Sequence, residues 1–154
     1  MDIGWIISNN NIQKEQFNAK ILNSPSSTKA EIIAILTALI VTPKGCKIHI
    51  FTDSANTINR FNFIMNTHTN SQIKGYNLNN SWAWLLIKQL IDKLNIDVTL
   101  FKVKAHSGNK LNNKADSLAN AGHNQQTLSF KIQNYIPMFF TFEKVLLDKA
   151  ISKF

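Results

Sequence analysis

The chain has 154 residues, of which 44% are hydrophobic, so it has room for one folded domain with a sizeable core and not for two. Its 17 basic and nine acidic residues give a formal net charge of +8, which favours a polyanionic partner such as nucleic acid. The lysines are scattered and Arg60 is the single arginine. This pattern suits attraction to phosphate better than bidentate contacts to bases.

Membrane, secretory and disulfide-stapled classes are disfavoured. The longest apolar stretch, residues 32–41, is about half as long as a bilayer crossing requires. Residues 1–7 lack the basic start, the long apolar run and the small-residue cleavage site of a secretory signal. Cys46 is the single cysteine, which excludes an internal disulfide framework and a cysteine-based metal site. We therefore expect an intracellular protein, cytoplasmic or nuclear, without a membrane segment.

The chain opens with a predicted hairpin. Residues 3–8 and 16–22 have the composition of strands, and the Asn-rich run at 9–11 between them favours a turn. The two strands should therefore pair with each other.

A helix is predicted over residues 32–41, and Pro43 and Gly45 end it. Thr28 and Glu31 stand three residues apart at its start, which fits a capping box. Glu31 then has two interpretations. Its carboxylate either accepts a hydrogen bond from the backbone of Thr28, or it binds a metal ion.

Residues 48–51, Ile-His-Ile-Phe, predict a short strand buried on both faces of a mixed or parallel sheet. His49 within it is interpreted as a packed or edge residue rather than a ligand. Asp53 follows the strand, and ligand-binding residues of open α/β sheets gather at such carboxyl ends. Asp53 has a plain alternative, because it could cap the helix predicted over residues 55–63.

Residues 100–119 contain most of the side chains that could form a functional site. A strand ends near His106, a polar loop follows, and apolar positions from Leu111 onward recur at helical spacing. Asn112 and Asp116, four residues apart, then share one face of a helix that can look back at the loop. Such a cluster can serve proton transfer, phosphate contact and metal ligation. The plain alternative is a surface histidine and a solvated aspartate near a helix start.

Two further segments complete the prediction. Residues 82–94 predict a helix capped by Asn80 and Ser81, and its tryptophans are assigned to the core rather than to base stacking. Residues 128–154 are too apolar to stay solvated, so we expect this tail to dock on the domain or on another chain.

Glu31, Asp53 and Asp116 come from three segments that we expect to meet at one edge of the sheet. The element order β-β-α-β-α-α-β-α, with the motifs TKAEIIAI, IHIFTDSAN and VKAHSGNKLNNKAD, closely resembles the ribonuclease H family, particularly the domains attached to reverse transcriptases of mobile elements. The resemblance spans residues 3–122. It implies an α/β, ribonuclease H-like fold with a mixed central sheet flanked by helices.

The resemblance also implies a reaction, the hydrolysis of the RNA strand of RNA/DNA hybrids with Mg²⁺ or Mn²⁺ as cofactor. The catalytic residues carried over onto this sequence are Glu31, Asp53, His106 and Asp116. The three acids among them are the implied metal ligands, and the histidine is the implied group for proton movement and product release. The implied contacts to nucleic acid are Ser27, Thr28, Ser54 and Asn112.

The chain departs from the family pattern at its beginning. Family members open with a strand that carries a central aspartate, whereas residues 1–7 align with the family's second strand, so we expect a sheet without its first strand. Asp2, or Glu143 or Asp148 of a second copy, are candidates to replace the missing carboxylate. A homodimer or the tail would cover the open sheet edge. Ala55 also departs, because the family often has a glutamine there that contacts the hybrid.

We therefore expect a ribonuclease H-like domain over residues 1–123 and an apolar extension over residues 124–154. The first expected function is endonucleolytic cleavage of the hybrid's RNA strand, either intact or weakened by the loss of one metal-ligating aspartate. The alternative is a non-catalytic nucleic-acid-binding remnant, for which the missing strand and the net charge both argue. Cleavage of a hybrid, as against binding alone, separates the two functions.

Overall fold

A computed structural model of the protein describes residues 1–9, 12–22, 26–67, 80–104, 110–121 and 127–128. The first eight elements in this part of the chain follow the predicted order β-β-α-β-α-α-β-α, and a short strand comes after them. The loop with His106 and the tail positions Glu143 and Asp148 lie outside the described residues. The mixed α/β fold predicted from the sequence is confirmed.

The elements lie where they are predicted, but the second strand begins at Ile12 rather than at residue 16, and the first helix begins at Ser27 rather than at residue 32. The strands are β1 (Asp2–Asn9), β2 (Ile12–Ile21), β3 (Lys47–Thr52), β4 (Asp97–Lys102) and β5 (Thr127–Leu128). The helices are α1 (Ser27–Ile40), α2 (Ala55–Met65), α3 (Ser81–Leu94) and α4 (Lys110–Ala121). Within the described ranges, no helix is both long and apolar enough to cross a membrane.

The predicted hairpin is present, and one of its faces packs on helix α1. Strands β1 and β2 pair antiparallel, with Trp5 opposite Phe17, and the two rings stack 5.5 Å apart. Trp5 Nε1 donates a hydrogen bond to Thr37 Oγ1 of α1 at 3.0 Å. The aromatic pair therefore supplies both apolar contact and a polar link between the hairpin and the helix.

The opposite face of β1 meets helix α4 at Gly4. A Cβ atom on Gly4 would lie 2.6 Å from the backbone N of Ala119 and 2.8 Å from the backbone O of Ala115. On the neighbouring strand, Asn18 Nδ2 donates to a backbone carbonyl of α4 at 3.0 Å. The helix that carries Asp116 is therefore seated directly on the backbone of the hairpin.

Among the described residues the strands form two separate sheets, one of order β1-β2-β5 and one of parallel β3 and β4. Strand β5 pairs with β2 and not with β1. The expected covering of the β1 edge by the tail is therefore not seen at residues 127–128, and the rest of the tail lies outside the described residues.

The prediction that β3 is buried on both faces is wrong. Its residues alternate between exposed and half-buried, and Phe51 is 60% exposed. Phe101, its register partner on β4, is 42% exposed, and the two rings stack 5.5 Å apart. His49 is also exposed and lies edge-on to Phe101 at 5.2 Å. A short, uniformly apolar run does not show by its periodicity which of its faces is covered.

The core lies between the strands and helices α1, α2 and α3. Trp84 is 1% exposed, in agreement with the assignment of the tryptophans to the core, whereas Trp82 is half-buried. Each large apolar side chain that is fully buried contributes roughly 1.5–3 kcal/mol relative to an exposed one. The largest fully buried apolar side chains are Ile32, Ile33, Leu36, Leu39, Ile64, Trp84 and Ile87.

Replacing Gly4 with alanine tests the contact between β1 and α4. The added Cβ would overlap backbone atoms that cannot rotate away, so we expect Gly4→Ala to lower the free energy of unfolding by about 1–3 kcal/mol. Urea unfolding followed by circular dichroism measures this change. Ser117→Ala, at an exposed position of α4, is the control and should change it by less than about 0.5 kcal/mol. Equal stability of the Gly4→Ala variant and the native chain would contradict the close packing.

Candidate active site

Glu31 lies in α1 and is not part of a capping box. Helix α1 begins at Ser27, and its N-cap is Ser26, whose hydroxyl accepts a hydrogen bond from the backbone N of Lys29. Glu31 Oε2 accepts a hydrogen bond from Thr57 Oγ1 of helix α2 at 2.7 Å. The capping interpretation is therefore wrong, because the helix starts before the predicted cap and the carboxylate is directed to a neighbouring helix.

The bond from Thr57 ties Glu31 to the first turn of helix α2, the helix that follows the end of strand β3. Thr57 lies one helical turn after Asp53, which directly follows the strand and is exposed. The N-cap of α2 is Ser54, whose Oγ accepts from the backbone N of Thr57 at 3.3 Å. The alternative role of Asp53 as a helix cap is therefore wrong. Its carboxylate is not needed for the start of α2.

The turn that carries Asp53 is tied to both strands of its sheet. The backbone N of Ser54 donates to Thr52 Oγ1 at 3.2 Å. The backbone N of Val103 donates to the carbonyl of Thr52 at 3.0 Å. The end of β4 is thus fixed beside the residue that precedes Asp53.

Asp116 is exposed on α4, in a different part of the fold from Glu31 and Asp53. Glu31 and Asp53 are linked through α2, whereas Asp116 is carried by the helix that rests on the hairpin. In the described part of the chain, no three His, Cys, Asp or Glu side chains are grouped so that they could hold a metal ion. The assignment of all three acids as ligands of one metal site therefore stays a prediction.

The remaining candidate residues lie at the starts of elements. Ser27 is exposed and Thr28 is half-buried in the first turn of α1, and Ser54 uses its hydroxyl oxygen as a cap. Asn112 belongs to α4, and its side chain lies outside what is described. Asp2 is the first residue of β1, opposite Lys20 in the hairpin, rather than part of a turn. Whether Asp2 replaces the missing carboxylate of the family's first strand stays a prediction.

Exposed lysines border the end of β3 that carries Asp53. Lys102 stands opposite Thr52 in the register of the two strands, and Lys104 follows two residues later. Lys47 lies at the far end of the same strands, where it pairs with Asp97 at 3.4 Å. Positive charge is therefore available beside the acidic residues, where it can attract a phosphate.

Glu31 and Asp53 suit a hard divalent cation. Both offer carboxylate oxygens, the ligands that Mg²⁺ and Mn²⁺ prefer. Glu31 is half-buried and held by a hydroxyl group, while Asp53 is open to solvent. The chemistry of these two side chains therefore fits such a cation.

Thr57 is a site residue that the sequence did not reveal. A threonine inside a helix carries no motif of its own, and its bond to Glu31 depends on how two helices pack. Its partner Glu31 stands 26 positions earlier in the chain.

The element order, with strands in two small sheets and four helices, is that of a mixed α/β domain and is consistent with a ribonuclease H-like fold. The sequence pattern of the RNase H family matches residues 2–124. A ribonuclease H from Francisella tularensis subsp. novicida is 33% identical over 122 residues, which cover 76% of this chain and 78% of the relative. A ribonuclease H from Moorella thermoacetica is 32% identical over 103 residues, which cover 63% of this chain and 66% of the relative. The chain belongs to the RNase H family. The narrower resemblance to domains of mobile elements stays a prediction.

Substitutions at the start of α2 test whether Ser54 or Asp53 caps the helix. Ser54→Ala removes the cap and should lower the free energy of unfolding by about 1 kcal/mol. Asp53→Asn should leave it within about 0.5 kcal/mol of the native value, because Asp53 does not cap the helix. Thermal or urea unfolding of both variants measures the difference. A larger loss for Asp53→Asn than for Ser54→Ala would contradict the assignment.

Proposed function

We propose that this chain is a divalent-metal-dependent ribonuclease H that cleaves the RNA strand of RNA/DNA hybrids. Its family, whose members act on such hybrids, supports the reaction class. The observation that supports it most directly in this chain is the hydrogen bond to Glu31 from Thr57, in the first turn of the helix that follows Asp53, with Lys102 opposite Thr52 in the strand register.

The proposal gives each acidic side chain a role. Glu31, Asp53 and Asp116 hold Mg²⁺ or Mn²⁺ through their carboxylate oxygens. Bound ions supply charge neutralisation at the scissile phosphate and a water of lowered pKa. Asp53 is exposed, so a phosphate oxygen can approach it directly. His106 takes up a proton near the reacting phosphate and promotes release of the product.

The residues proposed to touch the substrate surround these acids. Ser27 and Thr28, on the same helix as Glu31, contact the hybrid with hydroxyl groups, and such groups can bond to the 2′-hydroxyls that distinguish RNA from DNA. Ser54 keeps its hydroxyl hydrogen for a phosphate oxygen while its oxygen caps α2. Asn112 contacts the hybrid from helix α4.

Cleavage of a labelled RNA/DNA hybrid in Mg²⁺ or Mn²⁺ tests this function. The native chain should release RNA fragments, and chelation of the metal should stop the reaction. Glu31→Gln, Asp53→Asn and Asp116→Asn should each lower the rate by more than about a hundredfold, since the loss of a group that merely supports a metal ligand already costs roughly 10–100-fold.

Asp97→Asn is the matched control and should leave the rate of cleavage unchanged. Asp97 is an exposed carboxylate at the opposite end of β3 and β4. Absence of cleavage by the native chain, or cleavage that survives both Asp53→Asn and Asp116→Asn, would contradict the proposal.

A second candidate function is binding of the hybrid without cleavage. The net charge of +8 favours it, as does the lack of a three-carboxylate group within the described ranges. Phosphate-driven binding releases counterions and therefore weakens steeply with salt. Salt-dependent binding with no turnover in either metal would identify this second function.

The lysines at the strand end make a prediction about affinity. Lys102→Ala should weaken hybrid binding and reduce the slope of log affinity against log salt by about one, the effect of one lost phosphate contact. Lys47→Ala, at the far end of the same sheet, should leave the slope unchanged. Fluorescence anisotropy with a labelled hybrid at several salt concentrations gives both slopes. If both substitutions changed the slope equally, Lys102 would have no special contact with the hybrid, and this prediction would be wrong.

A further inference from the structure

Thr57 is fully buried although its side chain is polar. A buried hydroxyl group is costly unless it finds a hydrogen-bond partner. Thr57 Oγ1 donates to Glu31 Oε2 at 2.7 Å, the usual length of an O–H···O hydrogen bond. The bond therefore satisfies the threonine and orients the glutamate at the same time.

A continuous chain of bonds fixes the position of the Thr57 hydroxyl. The backbone N of Thr57 donates to Ser54 Oγ at 3.3 Å, and the backbone N of Ser54 donates to Thr52 Oγ1 at 3.2 Å. These contacts run from the end of β3, through the turn that carries Asp53, to Glu31 on α1. Because a β-branched side chain has few rotamers in a helix, the backbone of α2 largely sets where the hydroxyl points.

We propose that Thr57 is a positioning residue that holds the Glu31 carboxylate ready for a divalent cation. This inference rests on the proposed function, because it takes Glu31 as a metal ligand. A carboxylate that accepts one hydrogen bond keeps its other lone pairs for a cation. Without the hydroxyl, the glutamate side chain must be ordered when the cation binds, and this lowers the affinity.

The experiment measures metal affinity without nucleic acid. Thr57→Val removes the hydroxyl at nearly constant volume and should raise the dissociation constant for Mn²⁺ about tenfold in isothermal titration calorimetry. Thr57→Ser keeps a hydroxyl and should restore most of the affinity. Thr42→Val is the matched control, because Thr42 is 6% exposed and its hydroxyl donates to a carbonyl within α1, away from Glu31. The control should leave the affinity unchanged.

A double-mutant cycle with Glu31→Ala checks the contact itself without metal. The stability losses of Thr57→Val and Glu31→Ala in urea should not add, because both remove the same bond. Thr57→Ala serves as a second hydroxyl-free variant if Thr57→Val does not fold. Additive losses would overturn the inference, and so would unchanged Mn²⁺ affinity of a folded, hydroxyl-free variant. If the cycle shows coupling but the native chain neither binds Mn²⁺ nor cleaves a hybrid, the metal-positioning role and the proposed function are both overturned.

Discussion

The packing of helix α1 between the hairpin and helices α2 and α3 is the constraint on which the rest of the structure depends. The two sheets do not pair with each other within the described residues; α1 packs on β1 of the hairpin and on helix α2, and α2 in turn packs on β4. It buries apolar side chains along most of its length, and Thr37 in its middle accepts the bond from Trp5. Glu31 stands near the start of the same helix. The position of this carboxylate is therefore set by the core itself rather than by a surface loop, which gives a ligand the stable support that a site requires.

The candidate site is built from the end of strand β3 and from helices α1 and α2. Ser54 starts helix α2, and this frees Asp53 from a structural duty. Thr57 donates a hydrogen bond to one oxygen of the Glu31 carboxylate. Lys102 lies beside the strand end and supplies the opposite charge. At this end of β3, the helix cap and the exposed carboxylate are therefore different residues.

Much of this arrangement could be predicted from the sequence. Turn residues and apolar runs placed the hairpin and the element order, because these signals act over a few neighbouring residues. The cap of α1 was assigned to Thr28 and not to Ser26, since several adjacent hydroxyl residues fit the same signal. The exposed face of β3 could not be foreseen, because burial depends on which elements arrive from elsewhere. The bond between Glu31 and Thr57 joins residues on different helices, so no local pattern encodes it.

The stacked rings of Phe51 and Phe101 form an exposed apolar patch on a molecule of high positive charge. At low ionic strength, mutual repulsion keeps separate molecules from bringing these rings together. Salt screens that repulsion, so we expect added salt to favour contact between the rings of separate molecules. The colloidal stability of the protein should then fall as the ionic strength of its buffer rises.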